Sequence, residues 1–197
     1  MRVVLASSNT GKVRELASLL LPLGYDLVPQ NQLGIETPPE TGTTFAENAL
    51  LKARHASAVA NLPALSDDSG IEVDALNGRP GVYSARYAGE GASDEANLSK
   101  ILVELRDVPA PRRTARYRCV IAFVTVPADP NPIMATGTWE GILLATPRGL
   151  GGFGYDPIFV PAGFNRTAAE LPPEEKNSLS HRGQALRALV AQLQQRR

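Results

Sequence analysis

The first candidate site is a polar stretch between a β-branched run and a helical pattern near the start of the chain. It consists of Ser7, Ser8, Asn9, Thr10, Gly11 and Lys12. A helix start presents unpaired N–H groups and the positive end of the helix dipole, and hydroxyls and a lysine add donors for an anion. The stretch therefore predicts phosphate binding, with an ordinary polar helix cap as the alternative. It is not a Walker loop, because Ala6 and Val13 stand where that loop requires Gly and Ser/Thr.

Two adjacent carboxylates form the second candidate site. Asp67 and Asp68 follow a short apolar run and precede Ser69 and Gly70. Neighbouring residues of an extended segment point to opposite faces, so only one of these carboxylates can face a given cleft. Such a carboxylate is suited to bind Mg²⁺ or to take a proton from water. Glu40 is a candidate second metal ligand, and the alternatives are an Asx turn at Asp68 and a merely solvated Glu40.

The third candidate is a glycine-dense segment over residues 149–157. In it, Phe153 is followed by Gly154, Tyr155 and Asp156. Glycines let the backbone approach a planar ligand closely, and the ring of Phe153 offers a stacking surface. The alternative is a tight turn with Phe153 packed into the core.

The fourth candidate is a group of donors at the predicted start of the C-terminal helix, namely Lys176, His181 and Arg182. Cations are disfavoured at a helix N-terminus unless an anion or acceptor compensates them, so their position points to a ligand. For His181 the alternative is an exposed position without a role. His55 has no partner at metal-ligand spacing and receives no role, and Cys119 is interpreted as an inert core thiol.

Hydrophobic periodicity places these candidates on alternating helices and strands. Strands are predicted over residues 2–6, 25–28, 64–67, 71–76, 116–126 and 133–144. The last two are expected to pair as a long antiparallel hairpin, and a turn is expected between residues 67 and 71. A helix is predicted from the spacing of Val13, Leu16, Ala17 and Leu20. The order favours an α/β fold with a mixed sheet and α+β character over a purely doubly wound fold.

Three side chains are predicted to cap further helices. Thr44 and Glu47 form a capping box before a long helix, and Ser93 and Ser180 precede two amphipathic segments. The cap at Ser180 sets where the helix that carries the fourth candidate site begins.

Composition favours one soluble domain over residues 1–197. The 197 residues are 43% apolar, which excludes disorder, and 20 basic residues balance 20 acidic ones. Zero net charge argues against duplex nucleic acid as a partner, and a single cysteine excludes an internal disulfide framework. The chain shows no export signal, and its longest apolar run, residues 119–124, is too short to span a membrane. These features predict a cytoplasmic protein.

Six motifs occur in order from Val3 to about Leu189. They are S-S-N-T-G-K, T-F-A-E-N-A-L-L-K-A, D-D-S-G, G-V-Y-S-A-R-Y, G-G-F-G-Y-D-P-I-F and S-H-R-G-Q-A-L. Each is weak alone, but the ordered set resembles one family closely, the noncanonical purine NTP pyrophosphatases (inosine/xanthosine triphosphate pyrophosphatases, Ham1-like). The resemblance implies a homodimer of an elongated, two-lobed mixed α/β fold with the active site in the cleft between the lobes.

The resemblance further implies a reaction and its phosphate-side residues. Members hydrolyse ITP, dITP and XTP to the monophosphate and pyrophosphate with Mg²⁺. Residues 7–12 match the triphosphate-binding loop, although Ser8 stands where many members carry glycine. Asp68 matches the general base and metal ligand, Glu40 matches a second acidic residue near the metal, and Ser69 lies beside Asp68 at the substrate.

On the base side, the resemblance implies contacts from two segments. Residues 153–156 match the base-contacting loop, with Phe153 stacking on the purine. Lys176, His181 and Arg182 match the base-reading residues. Donors from Arg182 or backbone N–H groups would pair with the 6-oxygen of hypoxanthine or xanthine and reject the amine of adenine.

Two alternatives remain at this point. A Maf-like nucleotide pyrophosphatase with a different base preference has a related architecture, but its S-x-S-P-R-R type of signature is absent from this chain. A catalytically silent purine-nucleotide-binding module would lack the acidic pair of Asp68 and Glu40.

Overall fold

The computed structural model of the protein describes residues 1–7, 13, 16 and 20–196. In that part of the chain the strands are β1 (Arg2–Leu5), β2 (Asp26–Pro29), β3 (Ala64–Val73), β4 (Thr114–Val124), β5 (Ile133–Leu143) and β6 (Phe159–Pro161). The α-helices with described bounds are α1 (Phe45–Ala60), α2 (Asp94–Glu104), α3 (Pro173–Leu179) and α4 (His181–Gln195). Val13, Leu16 and Leu20 have helical backbone, and the rest of the first predicted helix lies outside the described residues.

The six strands form one mixed sheet in the order β2-β1-β3-β4-β5-β6. β1 runs parallel to both of its neighbours, with Val4 opposite Val28 on β2 and opposite Ala64 on β3. β5 and β6 are antiparallel. The structure therefore confirms the predicted mixed α/β fold, and β4 and β5 are sheet neighbours as expected.

One compact unit comprises Met1–Asp68, Cys119–Gly137 and Ala185–Arg197. Its core joins apolar side chains of the sheet to α4, and includes Val3, Leu5, Leu65, Ile121, Phe123, Leu186 and Leu189. Cys119 is buried in this core, as predicted. This packing anchors the strands that lead to the candidate acidic site.

The other compact unit comprises Ser69–Arg118 and Thr138–Gln184. Its core is rich in large and aromatic side chains, among them Ile71, Ile101, Tyr117, Trp139, Tyr155 and Phe159. Whether the chain is one domain over residues 1–197 stays a prediction. No helix among the described residues is long and apolar enough to cross a membrane.

The predicted turn between residues 67 and 71 is wrong. β3 runs without a break from Ala64 to Val73, so Asp68 and Ser69 lie inside a strand. Gly70 does not form a turn. It is required for space, because a Cβ there would collide with the Gly81 carbonyl oxygen and the Ser84 hydroxyl. The Ser84 hydroxyl in turn accepts a hydrogen bond from the Ile71 N–H at 2.9 Å. Glycine at this position therefore permits a close approach of two backbone segments.

The three predicted helix caps are confirmed. Thr44 and Glu47 form a capping box at the start of α1, and the Ser93 hydroxyl accepts from the Ala96 N–H at α2. The Ser180 hydroxyl accepts from the Gly183 N–H at 3.2 Å, in the first turn of α4. Lys176 does not belong to α4, however, because it lies on the separate short helix α3, which ends before Ser180.

Candidate active site

In the first unit, a lysine side chain connects the two predicted acidic site residues. The ammonium of Lys52 lies 2.7 Å from Glu40 Oε1 and 2.9 Å from Asp68 Oδ1. The side chains of Lys52 and Asp68 are each only 8% exposed. The structure thus brings Glu40, from the loop before α1, and Asp68, from β3, to one point.

An asparagine on α1 links the same two chain segments. Asn48 is fully buried, and its amide donates to Asp68 Oδ2 at 3.3 Å. Its carbonyl oxygen accepts from the Gly42 N–H at 2.8 Å. Asn48 therefore holds the loop that carries Glu40 and orients the carboxylate of Asp68.

The charges around Lys52 keep it protonated. Burial lowers the pKa of Lys52, but the carboxylates of Asp68, Asp67 and Glu40 together raise it more, so its net pKa lies above the ordinary value of 10.5. An ammonium at this place offsets the repulsion between two acidic groups that would otherwise face each other in a dry environment.

Sequence reasoning missed Lys52 and Asn48, although a signal was present. Both lie on the face of α1 that is otherwise marked by small buried residues such as Ala49 and Ala53. Polar residues at helical spacing on a buried face need partners, because an unpaired buried polar group is costly. That rule predicts partners for the two side chains but not which ones.

Glu40 and Asp68 also fit the way in which Mg²⁺ is commonly held. This ion takes one or two carboxylates from a protein and completes its shell with phosphate oxygens and water. Two carboxylates that share one cation are close enough for such a site. Among the described residues no group of three or more His, Cys, Asp or Glu side chains is arranged to hold a metal, so substrate oxygens would have to supply the remaining ligands.

Of the predicted phosphate-side loop, the described residues include Ser7. Ser7 is buried directly after β1, where the Ala6 N–H donates to the Leu65 carbonyl at 2.8 Å. Ser7 therefore lies beside the part of β3 that leads to Asp68. The other predicted ligands of this loop, Ser8, Asn9, Thr10, Gly11 and Lys12, lie outside the described residues.

In the second unit, the carboxylate of Asp156 organises the glycine-rich loop. Asp156 is 3% exposed, and its Oδ2 accepts from the Phe153 N–H at 2.9 Å and from Lys176 Nζ at 2.7 Å. Gly152 has a φ of +73°, and a Cβ there would collide with this carboxylate. The loop is therefore wound tightly around one buried acid.

The remaining residues of this loop are anchored to other elements. The Gly154 N–H donates to Asp94 Oδ2, in the first turn of α2, at 2.7 Å, and Gly154 has a φ of +61°. Tyr155 is buried, and its hydroxyl donates to the Ser84 carbonyl at 2.7 Å. Gly154 and Tyr155 thereby fix the loop on both sides of its turn.

Phe153 itself is not packed into the core, so that alternative is wrong. The residue is 37% exposed. Lys176 Nζ lies 4.9 Å and Arg182 Cζ 5.7 Å from the centre of its ring. An aromatic face flanked by two cations is suited to bind a planar, electron-rich group with acceptor atoms.

His181 and Arg182, at the start of α4, are both buried. The imidazole of His181 stacks on Tyr117, with ring centres 4.7 Å apart and 7° between the planes, so the alternative of an exposed His181 is wrong. Arg182 donates to the Ser69 hydroxyl at 3.2 Å. The structure thus brings Ser69, Arg182, Lys176 and Phe153 into one connected group.

Tyr117, on β4, was also missed by sequence reasoning. Its hydroxyl donates to Asp156 Oδ1 at 3.2 Å. Burial first, and then the negative charge of Asp156, raise the pKa of Tyr117 well above its ordinary value of 10.0. The phenol therefore stays protonated and serves as a donor.

Comparisons with known proteins find relatives along nearly the whole chain. Proteins named dITP/XTP pyrophosphatase from Shigella flexneri, Pectobacterium atrosepticum and Escherichia coli K12 are 56%, 56% and 54% identical over 189 residues, covering 96% of this chain and of each relative. A HAM1 protein from Coxiella burnetii has a TM-score of 0.93 at 47% identity, with 99% of both chains covered. The Ham1 protein of Staphylococcus aureus has a TM-score of 0.89 at 39% identity and full coverage of both chains.

The family itself follows from a match along nearly the whole sequence. The model of the Ham1 family covers residues 3–192, a stretch that contains both side-chain clusters described above. The Maf-like alternative is accordingly not favoured. By this match and by its near-full-length relatives, the chain belongs to the Ham1 family.

Proposed function

We propose that the protein hydrolyses the purine nucleoside triphosphates ITP, dITP and XTP to the monophosphate and pyrophosphate. The observation that carries the proposal is the likeness, at 54–56% identity over 96% of the chain, to proteins named dITP/XTP pyrophosphatases. The two side-chain clusters support it, since one suits phosphate chemistry and the other suits a planar base with acceptor atoms.

Asp68 is the proposed general base. It takes a proton from a water molecule as the water oxygen bonds to the α-phosphorus, and the bond from that phosphorus to the bridging oxygen breaks as pyrophosphate leaves. Asn48 and Lys52 hold the two oxygens of Asp68 at 3.3 and 2.9 Å. Because these contacts fix the carboxylate plane before substrate arrives, little reorganisation is needed in the transition state.

Lys52 and the phosphate loop are proposed to stabilise negative charge. The leaving pyrophosphate carries several charges, so donors and cations near the triphosphate lower the barrier most. Lys12 and the backbone N–H groups of residues 8–12 are the proposed donors on the phosphate side. Lys52 compensates the two carboxylates that would otherwise repel the triphosphate.

Mg²⁺ is the proposed cofactor, with Glu40 and Asp68 as its protein ligands. When bound, it would neutralise charge on the phosphate oxygens. The proposal predicts that pyrophosphate release requires Mg²⁺, and omission of the ion or addition of a chelator tests this directly.

Base selectivity is proposed to come from the Phe153 group. Phe153 stacks on the purine, and Lys176, His181 and Arg182 offer donors to the 6-oxygen, which adenine lacks. A buried donor that faces the adenine amine loses its hydrogen bond, and such mismatches discriminate by about 10⁴ or more. Tyr155 and Asp156 are buried and support the loop from inside.

The test is pyrophosphate release by the purified protein from ITP, dITP, XTP, ATP, GTP and dTTP, each with and without Mg²⁺. The proposal expects kcat/KM for ITP and XTP to exceed that for ATP by orders of magnitude. Preference for dTTP would favour a Maf-like activity. Tight ITP binding without any turnover would favour the silent binding module, and either outcome would overturn the proposal.

We further propose that the protein is a cytoplasmic homodimer, as the family resemblance implies. Light scattering coupled to size-exclusion chromatography would give twice the chain mass of 21.0 kDa. A monomeric mass across the micromolar range would contradict the dimer, and recovery of the protein in a membrane fraction would contradict the location.

A further inference from the structure

Tyr117 contacts two residues of the proposed base site at once, the loop-supporting Asp156 and the base-reading His181. Its hydroxyl donates to Asp156 Oδ1 at 3.2 Å, and its ring stacks on the imidazole of His181 at 4.7 Å. Asp156 follows β5 in the chain by thirteen residues, whereas His181 begins α4. A single side chain on β4 therefore touches two segments that are distant in sequence.

The hydroxyl of Tyr117 helps to fix the positions of Phe153 and Lys176, because all three contact Asp156. The other oxygen of that carboxylate accepts from the Phe153 N–H and from Lys176 Nζ, at 2.9 and 2.7 Å. A carboxylate held on both oxygens has one orientation. Loss of the bond to Oδ1 would let the carboxylate rotate, and the Phe153 loop and the ammonium of Lys176 would follow.

The ring of Tyr117 is itself fixed by the core. It makes an edge contact with Phe159, with ring centres 4.8 Å apart, and Phe159 packs against Trp139 at 5.3 Å. Tyr117 is 7% exposed and Phe159 is fully buried. The core thus determines where Tyr117 lies, and Tyr117 determines where its two polar partners lie.

We propose that Tyr117 is a positioning residue for base recognition, which fixes Phe153 and Lys176 through Asp156 and fixes His181 through the ring stack. The inference rests on the proposed function and deepens it by naming a determinant of base selectivity. Because Tyr117 acts on the base-reading group, its loss should weaken base binding more than it slows the hydrolytic step assigned to Asp68.

The test compares Tyr117→Phe, which removes only the hydroxyl, with Tyr87→Phe as a matched control. The Tyr87 hydroxyl also donates to a carboxylate of the same unit, Glu104 Oε2 at 2.6 Å, and Lys100 Nζ lies 4.5 Å from the centre of the Tyr87 ring. Tyr87 thus matches Tyr117 as a phenol that donates to a carboxylate, but that carboxylate does not hold Phe153 or Lys176. We expect Tyr117→Phe to raise KM for ITP about 3- to 10-fold, which is less than the full loss of a hydrogen bond to a charged group would give, because the hydroxyl acts on the base only through Asp156. Its kcat should fall by a smaller factor than KM rises, and the ratio of kcat/KM for ITP to kcat/KM for ATP should decrease. Tyr87→Phe should leave KM and this ratio unchanged.

Binding of the products separates positioning from general damage. The dissociation constant of IMP, which carries the base, should rise in Tyr117→Phe by the same factor as KM. The dissociation constant of pyrophosphate, which lacks a base, should not change. Equal weakening of both products would indicate a general structural defect and overturn the inference.

NMR of the histidine rings tests the stack without any activity. The chain has two histidines, so His55 serves as an internal reference for His181. Tyr117→Leu removes the aromatic face and should shift the ring protons of His181 but not those of His55, while Tyr117→Phe should leave both in place. Unshifted His181 signals in Tyr117→Leu would overturn the stacking role.

The outcomes distinguish this inference from the proposed function. Absence of ITP hydrolysis by the unaltered protein would refute the function, and the histidine spectra would still test the geometry. Normal ITP hydrolysis with a Tyr117→Phe variant that matches Tyr87→Phe in KM, base preference and IMP binding would refute the positioning role alone. Thermal unfolding of each variant verifies that it is folded.

Discussion

Lys52 is the residue around which the acidic cluster is built. Its ammonium contacts Glu40 and Asp68, and its raised pKa keeps the positive charge in place. The carboxylate of Asp68 and the ammonium of Lys52 carry opposite charges, so substitution of each residue should change different measured properties. Removal of Asp68, the proposed base, should affect chemistry, whereas removal of the Lys52 cation should affect both chemistry and folding.

Asp68→Asn should lower kcat for ITP by about 10²–10⁴-fold, the usual contribution of a positioned general base. The amide keeps the shape of the carboxylate but cannot accept a proton at neutral pH, so KM should change less than kcat. Steady-state kinetics of the folded variant measure both values. Asp26→Asn, at an exposed aspartate that begins β2, is the control, and equal kcat in all three proteins would remove Asp68 from the role of base.

Lys52→Met should lower the free energy of unfolding at neutral pH by about 3 kcal/mol, because removal of one partner leaves buried charge uncompensated. The deficit should shrink at acidic pH, where the carboxylates become protonated and no longer repel each other. Urea titrations at pH 7 and pH 4 give the difference in free energy of unfolding between the unaltered protein and Lys52→Met at each pH.

The exposed Lys100 provides the comparison for this experiment. Lys100→Met removes an ammonium that donates to the Tyr87 carbonyl at the surface, and should change stability little. A loss in Lys52→Met no greater than that in Lys100→Met would show that the buried cluster does not depend on its cation.

Among the elements, helix starts were predictable from sequence and the acidic strand was not. The caps at Thr44, Ser93 and Ser180 depend on residues within one turn of each other, so local chemistry suffices. The turn predicted around Ser69 was wrong because pairing of β3 in the sheet outweighs the local preference of Asp-Ser-Gly for a turn.

The residues that sequence reasoning missed share one property, which is that their partners are distant in the chain. Lys52 contacts Asp68 across 16 residues, and Tyr117 contacts Asp156 across 39. Motifs singled out the candidate groups, such as Asp68 and Phe153. The side chains that orient those groups follow from the packing of strands and helices, which no local pattern encodes.

The turn between β4 and β5 is held by a single carboxylate. Asp129 Oδ2 accepts from the Thr125 N–H and hydroxyl, at 2.9 and 2.8 Å, and Oδ1 accepts from the Asn131 N–H at 2.9 Å. The backbone N–H of Thr125 contributes most to a pKa of Asp129 below its ordinary value of 3.8. The charged form is therefore favoured in the folded protein.

Asp129→Ala should lower the free energy of unfolding by about 2 kcal/mol at neutral pH, since three donors of the turn, the Thr125 N–H and hydroxyl and the Asn131 N–H, lose a charged acceptor. A lowered pKa gives stability that is present above the ordinary value and is lost as pH falls through the folded value. The difference between the unaltered protein and the variant should thus disappear in strongly acidic solution. Chemical unfolding between pH 7 and pH 2 measures it, with exposed Asp107→Ala as the control; a difference independent of pH would contradict this account.

At the scale of the whole molecule, charge balance is the main constraint on partners. The chain has 20 basic and 20 acidic residues, so no excess of cations is available to displace the counterions of a nucleic acid. Recognition of the proposed nucleotide substrate would then come from local groups, such as Lys52 beside Asp68 on the phosphate side and Lys176 beside Phe153 on the base side, and not from a broad positive field.

Accordingly, we expect no binding of duplex DNA at physiological salt. Fluorescence anisotropy measures DNA binding. A labelled duplex of about 20 base pairs is titrated with protein up to a concentration about 100 times the KM for ITP. Lowering the salt should add at most weak, sequence-independent binding. Saturable micromolar binding in 150 mM salt would contradict the prediction and indicate a basic surface that the overall balance conceals.

The unbroken path of β3 limits how the chain can change in length. Side chains of a strand alternate between its two faces, so insertion or deletion of one residue between Ala64 and Asp68 would turn the Asp68 carboxylate away from Lys52 and bring its neighbour in its place. The same change in an exposed loop outside the sheet would leave this register intact. Single-residue insertions and deletions should therefore be least tolerated across this strand.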